Sequence, residues 1–202
     1  MKKKIFYING TTLAGGGPEH IYQLTKRLNI EKWDVILCTT KDGYYWKKFE
    51  LIGIKLYNLG LRKISLLAAL KLFLILRREN PDLIHTHGKG PGLYGRLIGK
   101  FFNVPMIHTY HGFHYENLSP LMQWLHLLAE NFLSLMTTHH IFVGDGEKIR
   151  ARVIKFIDEE NSTIIHNGID YEHIRSLPSE RNEVLKSINC PSWKSKTLIG
   201  TI

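Results

Sequence analysis

The sequence predicts an α/β fold in which a doubly wound parallel sheet carries helices on both faces. Short segments rich in apolar and β-branched residues recur along the chain, and segments with helical periodicity separate most of them. The 202 residues, 44% of them hydrophobic, can also bury one sizeable core. Because buried strands that alternate with crossover helices are typical of a parallel sheet, these observations together indicate this fold class.

Seven segments have the composition of buried strands. They lie at 5–8, 34–40, 54–59, 82–87, 105–110, 140–143 and 162–166. Helical periodicity is found between most of them, at 18–29, 64–79, 91–102, 119–138 and 147–157. The connection between the second and third strands, KDGYYWKKFELIG, has room for a short helix at most.

The first 170 residues are predicted to form one Rossmann-like domain. Residues 171–195 are polar and are interrupted by Pro178 and Pro191, so we interpret them as a helical connector. The closing segment 196–202, KTLIGTI, is predicted to be the first strand of a truncated second domain, because a strand cannot form a domain by itself.

Charge and cysteine usage narrow the class of protein. A formal net charge of +9 and a pI near 9.5 predict attraction to nucleic acid, an acidic membrane or a phosphorylated substrate. Two cysteines form neither a disulfide framework nor a metal-ligand pattern, which indicates the cytoplasm. The apolar run near the N-terminus is too short for a signal peptide, and the run at 64–76 is shorter than the roughly 20 residues that span a bilayer.

Three glycines, Gly15, Gly16 and Gly17, follow the first predicted strand. The segment lacks the Lys-Ser/Thr pair of a P-loop and the third glycine of a dinucleotide-binding fingerprint. Pro18 and Glu19 favour the start of a helix, whose free amides can bind an anion at the carboxyl edge of a parallel sheet. We therefore interpret the segment as a phosphate-binding turn, the alternative being glycines that only turn the chain.

Four stretches resemble, in order, the motifs of glycosyltransferase family 4, whose members have the GT-B fold of two Rossmann-like domains. They are Gly15–Glu19 ("GG-x-E"), Ile84–Arg96 ("H-x-H…G-x-L-(G/A)-R"), Val104–His114 ("(V/I)-P-x-(I/V)-x-T-x-H-G") and Ile164–Asp170 ("(V/I)-x-N-G-(I/V)-D"). The resemblance covers nearly the whole chain. It departs after the sixth strand, where Val143-Gly144-Asp145-Gly146 lacks the family's usual serine.

The resemblance implies an enzyme that moves a sugar from a nucleotide-sugar donor to a glycan or lipid-linked acceptor, with retention of configuration and without a cofactor. Polysaccharide, lipopolysaccharide or glycolipid synthesis is the implied setting. It further implies that the amides of Gly16 and Gly17 stabilise the leaving diphosphate, with Gly15 and Glu19 in the same loop. His111 matches the active-site histidine of the family. Because the second domain supplies most donor contacts, we expect this chain alone to be inactive.

Four further residues are candidates for the cleft: His87, Lys89, Thr109 and Asn167. The histidine could instead belong to the core, the lysine to a solvated surface, and Asn167 to a turn that positions the crossing to the next domain. The eleven histidines raise the hypothesis of a metal site. Because no H-E-x-x-H or Cys-His spacing is present, we expect no metal.

Two alternatives to a glycosyltransferase stay open. A nucleotide-sugar epimerase of the GT-B type would need acid and base groups in the cleft. A basic nucleic-acid-binding module would need a recognition motif, and the sequence contains no helix-turn-helix, zinc-finger or RNP pattern. We therefore expect no nucleic-acid partner.

Two predicted helices are unusually apolar for the surface of such a domain. Residues 64–78 have apolar side chains around nearly the whole circumference and are flanked by the basic pairs Arg62-Lys63 and Arg77-Arg78, and 119–136 contains Trp124. Ordinary burial against the sheet is one explanation. The other, which we favour, is peripheral docking on an anionic membrane surface.

Overall fold

The computed structural model describes residues 2–112, 118–154 and 157–171, together with 175, 186 and 189. Contacts divide the chain into two units, Met1–Gly168 and Ile169–Ile202. All strands and helices given below lie in the first unit. Most of the predicted connector at 171–195, and all of the predicted strand at 196–202, lie outside the described residues.

Seven strands form a single sheet in which every described pairing is parallel. They are β1 (Lys3–Ile8), β2 (Trp33–Thr39), β3 (Lys55–Asn58), β4 (Leu83–His87), β5 (Met106–Tyr110), β6 (His139–Phe142) and β7 (Ser162–Ile164), in the order β3-β2-β1-β4-β5-β6-β7. Each predicted strand is present, with ends that differ by at most about two residues, as is usual for such boundaries. The predicted doubly wound parallel sheet is confirmed.

In the described part of the chain, six α-helices connect the strands. They are α1 (Gly16–Arg27), α2 (Tyr44–Leu51), α3 (Leu66–Glu79), α4 (Lys89–Gly99), α5 (Pro120–Ser134) and α6 (Asp145–Ala151), and a 3₁₀ turn, Lys100–Phe102, follows α4. Helix α1 begins two residues before the predicted start, because Gly15 occupies the cap position. Helix α5 ends before the predicted residue 138, because the amide of Thr138 donates instead to the carbonyl of Met106 and leads the chain into the sheet.

The two faces of the sheet carry different helices. On one face, Ile21 of α1 and Phe49 of α2 pack against Tyr7 and Leu37. The other face carries α3 to α6, and its core joins the following buried side chains: Leu72, Leu76 and Ile98 with Phe6, Ile36 and Ile84, and Ala151 and Ile154 with Tyr110 and Phe142. Burial on both sides explains the continuous hydrophobic runs Ile5–Ile8 in β1 and Val35–Cys38 in β2.

Helix α4 lies unusually close to the sheet because glycines form its inner surface. A Cβ atom at Gly92 would lie 2.6 Å from Cε1 of His108, and one at Gly95 would lie 2.3 Å from Cγ2 of Thr86. At Gly99 the distance to Sδ of Met106 would be 2.6 Å. This close packing fixes α4 directly against β4 and β5.

The strand order creates a crevice beside β1. From β1 the chain winds outward to β3 on one side and then crosses over to β4 on the other side. The connections that follow β1 and β4 therefore leave toward opposite faces of the sheet. In sheets of this kind ligands bind in the crevice at that carboxyl edge.

Candidate functional site

The glycine turn at the start of α1 is open to solvent. Gly15 has φ 165° and ψ 166°, an extended conformation that any residue adopts. A Cβ atom at Gly15 or Gly16 would meet no atom within 4 Å. Neither backbone conformation nor packing therefore requires glycine at these positions. What the glycines provide is free access to the first amides of α1, which favours an anion-binding turn over a simple change of direction.

The connection between β1 and this turn is held by the loop after β2. The Asp42 carboxylate accepts hydrogen bonds from the amide of Thr12 at 2.6 Å and the hydroxyl of Thr11 at 2.8 Å. Burial acts to raise the pKa of Asp42, but these hydrogen bonds outweigh it and lower that pKa. A Cβ atom at Gly43 would lie 2.4 Å from the carbonyl oxygen of Thr12. The sequence analysis missed this support, although Asp42 follows a predicted strand at the same sheet edge.

Four imidazoles gather on the face of the sheet that carries α1, and we call them the histidine cluster: His20, His85, His87 and His111. The ring centroids of His85 and His87 on β4 are 4.2 Å apart, and those of His87 and His111 are 5.4 Å apart. His20 on α1 lies edge-on to His111 at 5.3 Å. Nδ1 of His87 is 3.1 Å from Nε2 of His111, so the two rings share a hydrogen bond.

Burial keeps the cluster uncharged at neutral pH. Burial, with a smaller contribution from neighbouring histidines, lowers the pKa of His85 to about 3 and that of His111 to about 4. The pKa of His87 lies well below its ordinary value for the same reasons. Neutral imidazoles donate and accept hydrogen bonds without carrying charge. Within residues 2–112, 118–154 and 157–171, no three His, Cys, Asp or Glu side chains are placed to hold a metal ion.

Two of the predicted cleft residues lie behind His111. Thr109 is fully buried, and its hydroxyl is 2.7 Å from Nε2 of His85. His87 is buried as well and contacts His111 directly. Neither residue presents its side chain to solvent, and their roles in the cleft stay predictions.

Asn167 and Lys89 reach the same region from different elements. The side-chain oxygen of Asn167 accepts a hydrogen bond of 2.8 Å from Nδ1 of His20. The sequence analysis did not identify His20 as a site residue. Lys89 is exposed at the start of α4 and lines a pocket of about 20 Å³ together with His111 and Gly112. Partial burial lowers the pKa of Lys89, and the charge of Glu130 opposes that shift. A pocket of this size holds a group no larger than a water molecule.

The side chain of Glu19 connects α1 with α2. Its carboxylate accepts hydrogen bonds from the hydroxyl of Tyr45 on α2 and from the side-chain amide of Gln23, the latter at 2.6 Å. These contacts give Glu19 a clear part in holding the first turns of α1 against α2. The diphosphate contact predicted for it stays a prediction.

A buried ion pair on the opposite face was missed by the sequence analysis. Arg96 on α4 is fully buried, and its guanidinium donates two hydrogen bonds to Glu130 on α5, at 2.9 and 3.0 Å. The hydroxyl of Tyr110 donates to the same carboxylate at 3.3 Å. The pair thus links α4 and α5 across the end of β5, the strand that leads into His111.

The glycine turn, the histidine cluster and Asn167 all fall within one family-wide match. The sequence profile of Glycosyltransferase Family 4 matches residues 14–173. The chain belongs to glycosyltransferase family 4. The resemblance on which the sequence analysis relied is therefore confirmed.

Three proteins are similar to the chain over part of their length. The Escherichia coli UDP-Gal:alpha-D-GlcNAc-diphosphoundecaprenol alpha-1,3-galactosyltransferase is 31% identical over an alignment of 121 residues, and the match covers 55% of this chain and 30% of the relative. The Anabaena protein HepE in complex with UDP-glucose superposes with a TM-score of 0.71 at 16% identity, covering 93% of this chain and 50% of HepE.

A glycosyltransferase from Rickettsia africae also has a TM-score of 0.71, at 20% identity over 94% of this chain and 50% of its own. The chain therefore spans at most about half the length of these three proteins. The structural likenesses show that the fold is that of a GT-B glycosyltransferase domain.

Proposed function

We propose that the chain forms the acceptor-side domain of a glycosyltransferase that uses a nucleotide-sugar donor and a glycan or lipid-linked acceptor. Family membership supports transfer, and the name of the E. coli relative describes a UDP-linked donor and a diphosphoundecaprenol-linked acceptor. The observation that carries the proposal is the open start of α1 beside the half-buried, uncharged imidazole of His111. A Cβ atom at Gly17 would lie 3.9 Å from Cδ2 of His111.

The chemistry follows from where negative charge develops. As the sugar leaves the nucleotide, charge accumulates on the diphosphate, and the amides of Gly16 and Gly17 are fixed donors at the positive end of α1. His111 is neutral at pH 7, so we assign it hydrogen bonding to the sugar or phosphate oxygens.

We further propose that transfer retains the anomeric configuration and that the leaving phosphate takes the acceptor proton. The side chains gathered at this edge are neutral imidazoles, which differ from the paired carboxylates of a glycoside hydrolase.

The test measures both reactions in one assay. The protein, purified as the cell produces it, is incubated with radiolabelled UDP-galactose or UDP-glucose, with and without a diphosphate-linked N-acetylglucosamine lipid. We expect label in the lipid only when acceptor is present. Conversion of the donor sugar without acceptor would favour the epimerase instead.

The site is tested in the same assay. His111→Ala should lower the transfer rate tenfold or more, equivalent to about 1.4 kcal/mol in the barrier. His139→Ala, on β6 away from the cluster, is the matched control and should keep the wild-type rate. The 202-residue chain tested by itself should not turn over, because it contains one wall of the cleft.

Helix α3 exposes apolar side chains on the face turned away from the sheet. Leu66 is 88% exposed, and Ile64, Leu67, Leu70 and Leu74 are exposed beside it. The neighbouring cations Arg62, Lys63, Lys71, Arg77 and Arg78 also face solvent. The acidic residue of this helix, Glu79, is buried and pairs with Lys55.

Helix α5 has a similar outer face. Its exposed residues are Leu121, Met122, Trp124, Leu125, Leu128 and Phe132. Its acidic residue, Glu130, is buried against Arg96. Because helices run antiparallel to the strands they follow, the first turns of α3 and α5 both lie at the carboxyl edge that holds the site.

We propose that these two faces dock on an anionic membrane surface. Apolar side chains can enter the headgroup region, while the exposed cations attract acidic lipids by about 1 kcal/mol each. No described helix combines the length and apolar character needed to cross a bilayer. Peripheral docking at the cytoplasmic face would bring the cleft to a lipid-linked acceptor in glycolipid or polysaccharide synthesis.

A further inference from the structure

His87 and His111 form a directly bonded pair inside the histidine cluster. Nδ1 of His87 is 3.1 Å from Nε2 of His111, and the rings are stacked with an interplanar angle of 27°. Nε2 of His87 is buried and has no hydrogen-bond partner among the described residues. The rings of Tyr7, His85 and His20 enclose His87 on its other sides.

The two rings have only two ways to share one hydrogen. If His111 donated, Nε2 of His87 would carry a hydrogen into a buried position without an acceptor. If His87 donates from Nδ1, the buried Nε2 is left with an unshared electron pair instead. Buried N–H groups without a partner are the rarer and costlier case, by about tenfold in population or more.

We propose that His87 is a positioning residue that fixes the tautomer of His111, with the hydrogen of His111 on Nδ1. His87 donates from Nδ1 to Nε2 of His111, and a neutral imidazole carries a single N–H. The lone pair on Nε2 of His111 is then occupied by the hydrogen bond from His87. The remaining polar group of the His111 ring, the Nδ1–H, is a hydrogen-bond donor.

The fixed tautomer defines what His111 can do in the reaction. With its accepting nitrogen occupied, His111 donates a hydrogen bond to an oxygen of the sugar or phosphate and does not remove the acceptor proton. This role of His111 toward substrate rests on the proposed function. The tautomer itself is a property of the folded chain and can be measured without substrate.

The experiment is long-range ¹H–¹⁵N correlation spectroscopy of the chain with ¹⁵N-labelled histidine at pH 7.5. His111 is assigned by comparison with His111→Gln. We expect His111 to carry its hydrogen on Nδ1 in about nine molecules of ten, as a tenfold preference requires. A hydrogen on Nε2, or an equal mixture of the two tautomers, would overturn the proposal.

Two variants separate donation from packing. His87→Asn keeps an N–H group near the position of Nδ1 and should keep the His111 tautomer, whereas His87→Leu removes the donor and should give a mixture. An unchanged tautomer in a folded His87→Leu variant would overturn the assignment to His87. If His87→Leu does not fold, the spectra of the wild type and His87→Asn test the proposal instead. Loss of the Nδ1–H form of His111 in His87→Asn would also contradict it.

Activity provides an independent readout. In the protein that transfers sugar, His87→Leu should lower kcat more than His87→Asn does, because only the asparagine keeps a donor for His111. If the tautomer is as expected and no sugar is transferred, the proposed function fails and the positioning role of His87 stands. If sugar is transferred but His111 does not have the expected tautomer, only the positioning role of His87 is rejected.

Discussion

His20 and Asn167 are joined by a hydrogen bond of 2.8 Å although 147 residues separate them in the chain. His20 lies in the first turns of α1, and Asn167 immediately precedes Gly168, the last residue of the first unit. The bond therefore ties the end of this unit to the helix that begins at the glycine turn.

This bond should be measurable as a coupling between the two positions. We expect an interaction energy of about 0.5–1.5 kcal/mol in a double-mutant cycle of His20→Ala and Asn167→Ala, measured by urea unfolding. The variant His20→Asn keeps a donor near Nδ1 and should recover part of the loss. Strictly additive single effects would show that the two side chains do not interact.

The glycine turn and the glycine face of α4 should respond differently to substitution. Gly16→Ala should leave the unfolding free energy within about 0.5 kcal/mol of wild type, because its Cβ meets open space. Gly16→Val should nevertheless lower sugar transfer at least tenfold by filling the diphosphate position. Gly95→Ala should destabilise by about 1–3 kcal/mol, because its Cβ would overlap Thr86. Wild-type transfer by Gly16→Val would place the diphosphate elsewhere.

The Arg96–Glu130 pair should be costly to break on one side only. Arg96→Met or Glu130→Leu leaves a buried charge without its partner and should cost about 3–5 kcal/mol in the free energy of unfolding. The double variant replaces both charges with apolar groups and should lose less than either single variant. Chemical denaturation of the three variants measures this, and a double variant at the sum of both losses would contradict it.

The buried histidines should make the domain sensitive to acid. Burial lowers the pKa of His85 to about 3, and burial together with Arg96 lowers that of His140 to about 4. In the unfolded chain these histidines bind protons with a pKa near 6.5. The free energy of unfolding therefore has its full value above pH 6.5 and decreases as the pH falls toward the pKa values of the folded state. The loss at pH 5 should be about 2 kcal/mol for each group.

Urea unfolding between pH 8 and 4.5, followed by tryptophan fluorescence, measures this dependence. The variant His140→Asn should reduce the slope below pH 6.5 by about 1.4 kcal/mol per pH unit, which corresponds to one proton. A slope that this variant leaves unchanged would mean that His140 takes up its proton equally in both states.

Membrane docking should depend on the outer face of α3. The double variant Leu66→Glu/Leu70→Glu should abolish sedimentation of the chain with phosphatidylglycerol vesicles. Ile30→Glu/Leu51→Glu changes two exposed residues, one in the loop after α1 and one at the end of α2, and should bind normally. Binding should weaken as salt approaches 1 M, where the screening length is about 3 Å.

Three results would argue against an electrostatic membrane site. They are equal binding to neutral phosphatidylcholine vesicles, no binding to either kind of vesicle, or a concentration-dependent dimer that Leu66→Glu/Leu70→Glu disrupts. The last of these would assign the same face to a second copy of the chain. An equivalent salt-sensitive shift of random duplex DNA would show that the positive charge acts without selectivity.

The second strand was predictable because it is buried on both sides and is therefore a nearly continuous apolar run, 34–40 around Cys38. The ends of the helices were harder to predict from the sequence. Pro18 was expected to open α1, yet the helix starts at Gly16 because an extended Gly15 can cap it. Helix α6 was expected at 147–157, but it begins at Asp145 and ends at Ala151.

Side-chain partners were the part that sequence periodicity could not provide. The motif containing Arg96 indicated a helix, but nothing in the sequence identified Glu130, 34 residues later, as its partner. Likewise His20 follows Glu19 without any motif that points to Asn167. Such pairs depend on how helices and loops pack on the sheet, and the local sequence pattern does not contain this information.

The glycine surface of α4 has a consequence for mutational tolerance. At four of its eleven positions, Gly90, Gly92, Gly95 and Gly99, a Cβ atom would approach another atom to within 2.3–2.6 Å. Almost any single-base change at these codons that alters the residue introduces a side chain for which there is no space. Packing alone therefore restricts random drift in helix α4, whereas no packing contact restricts Gly15 or Gly16.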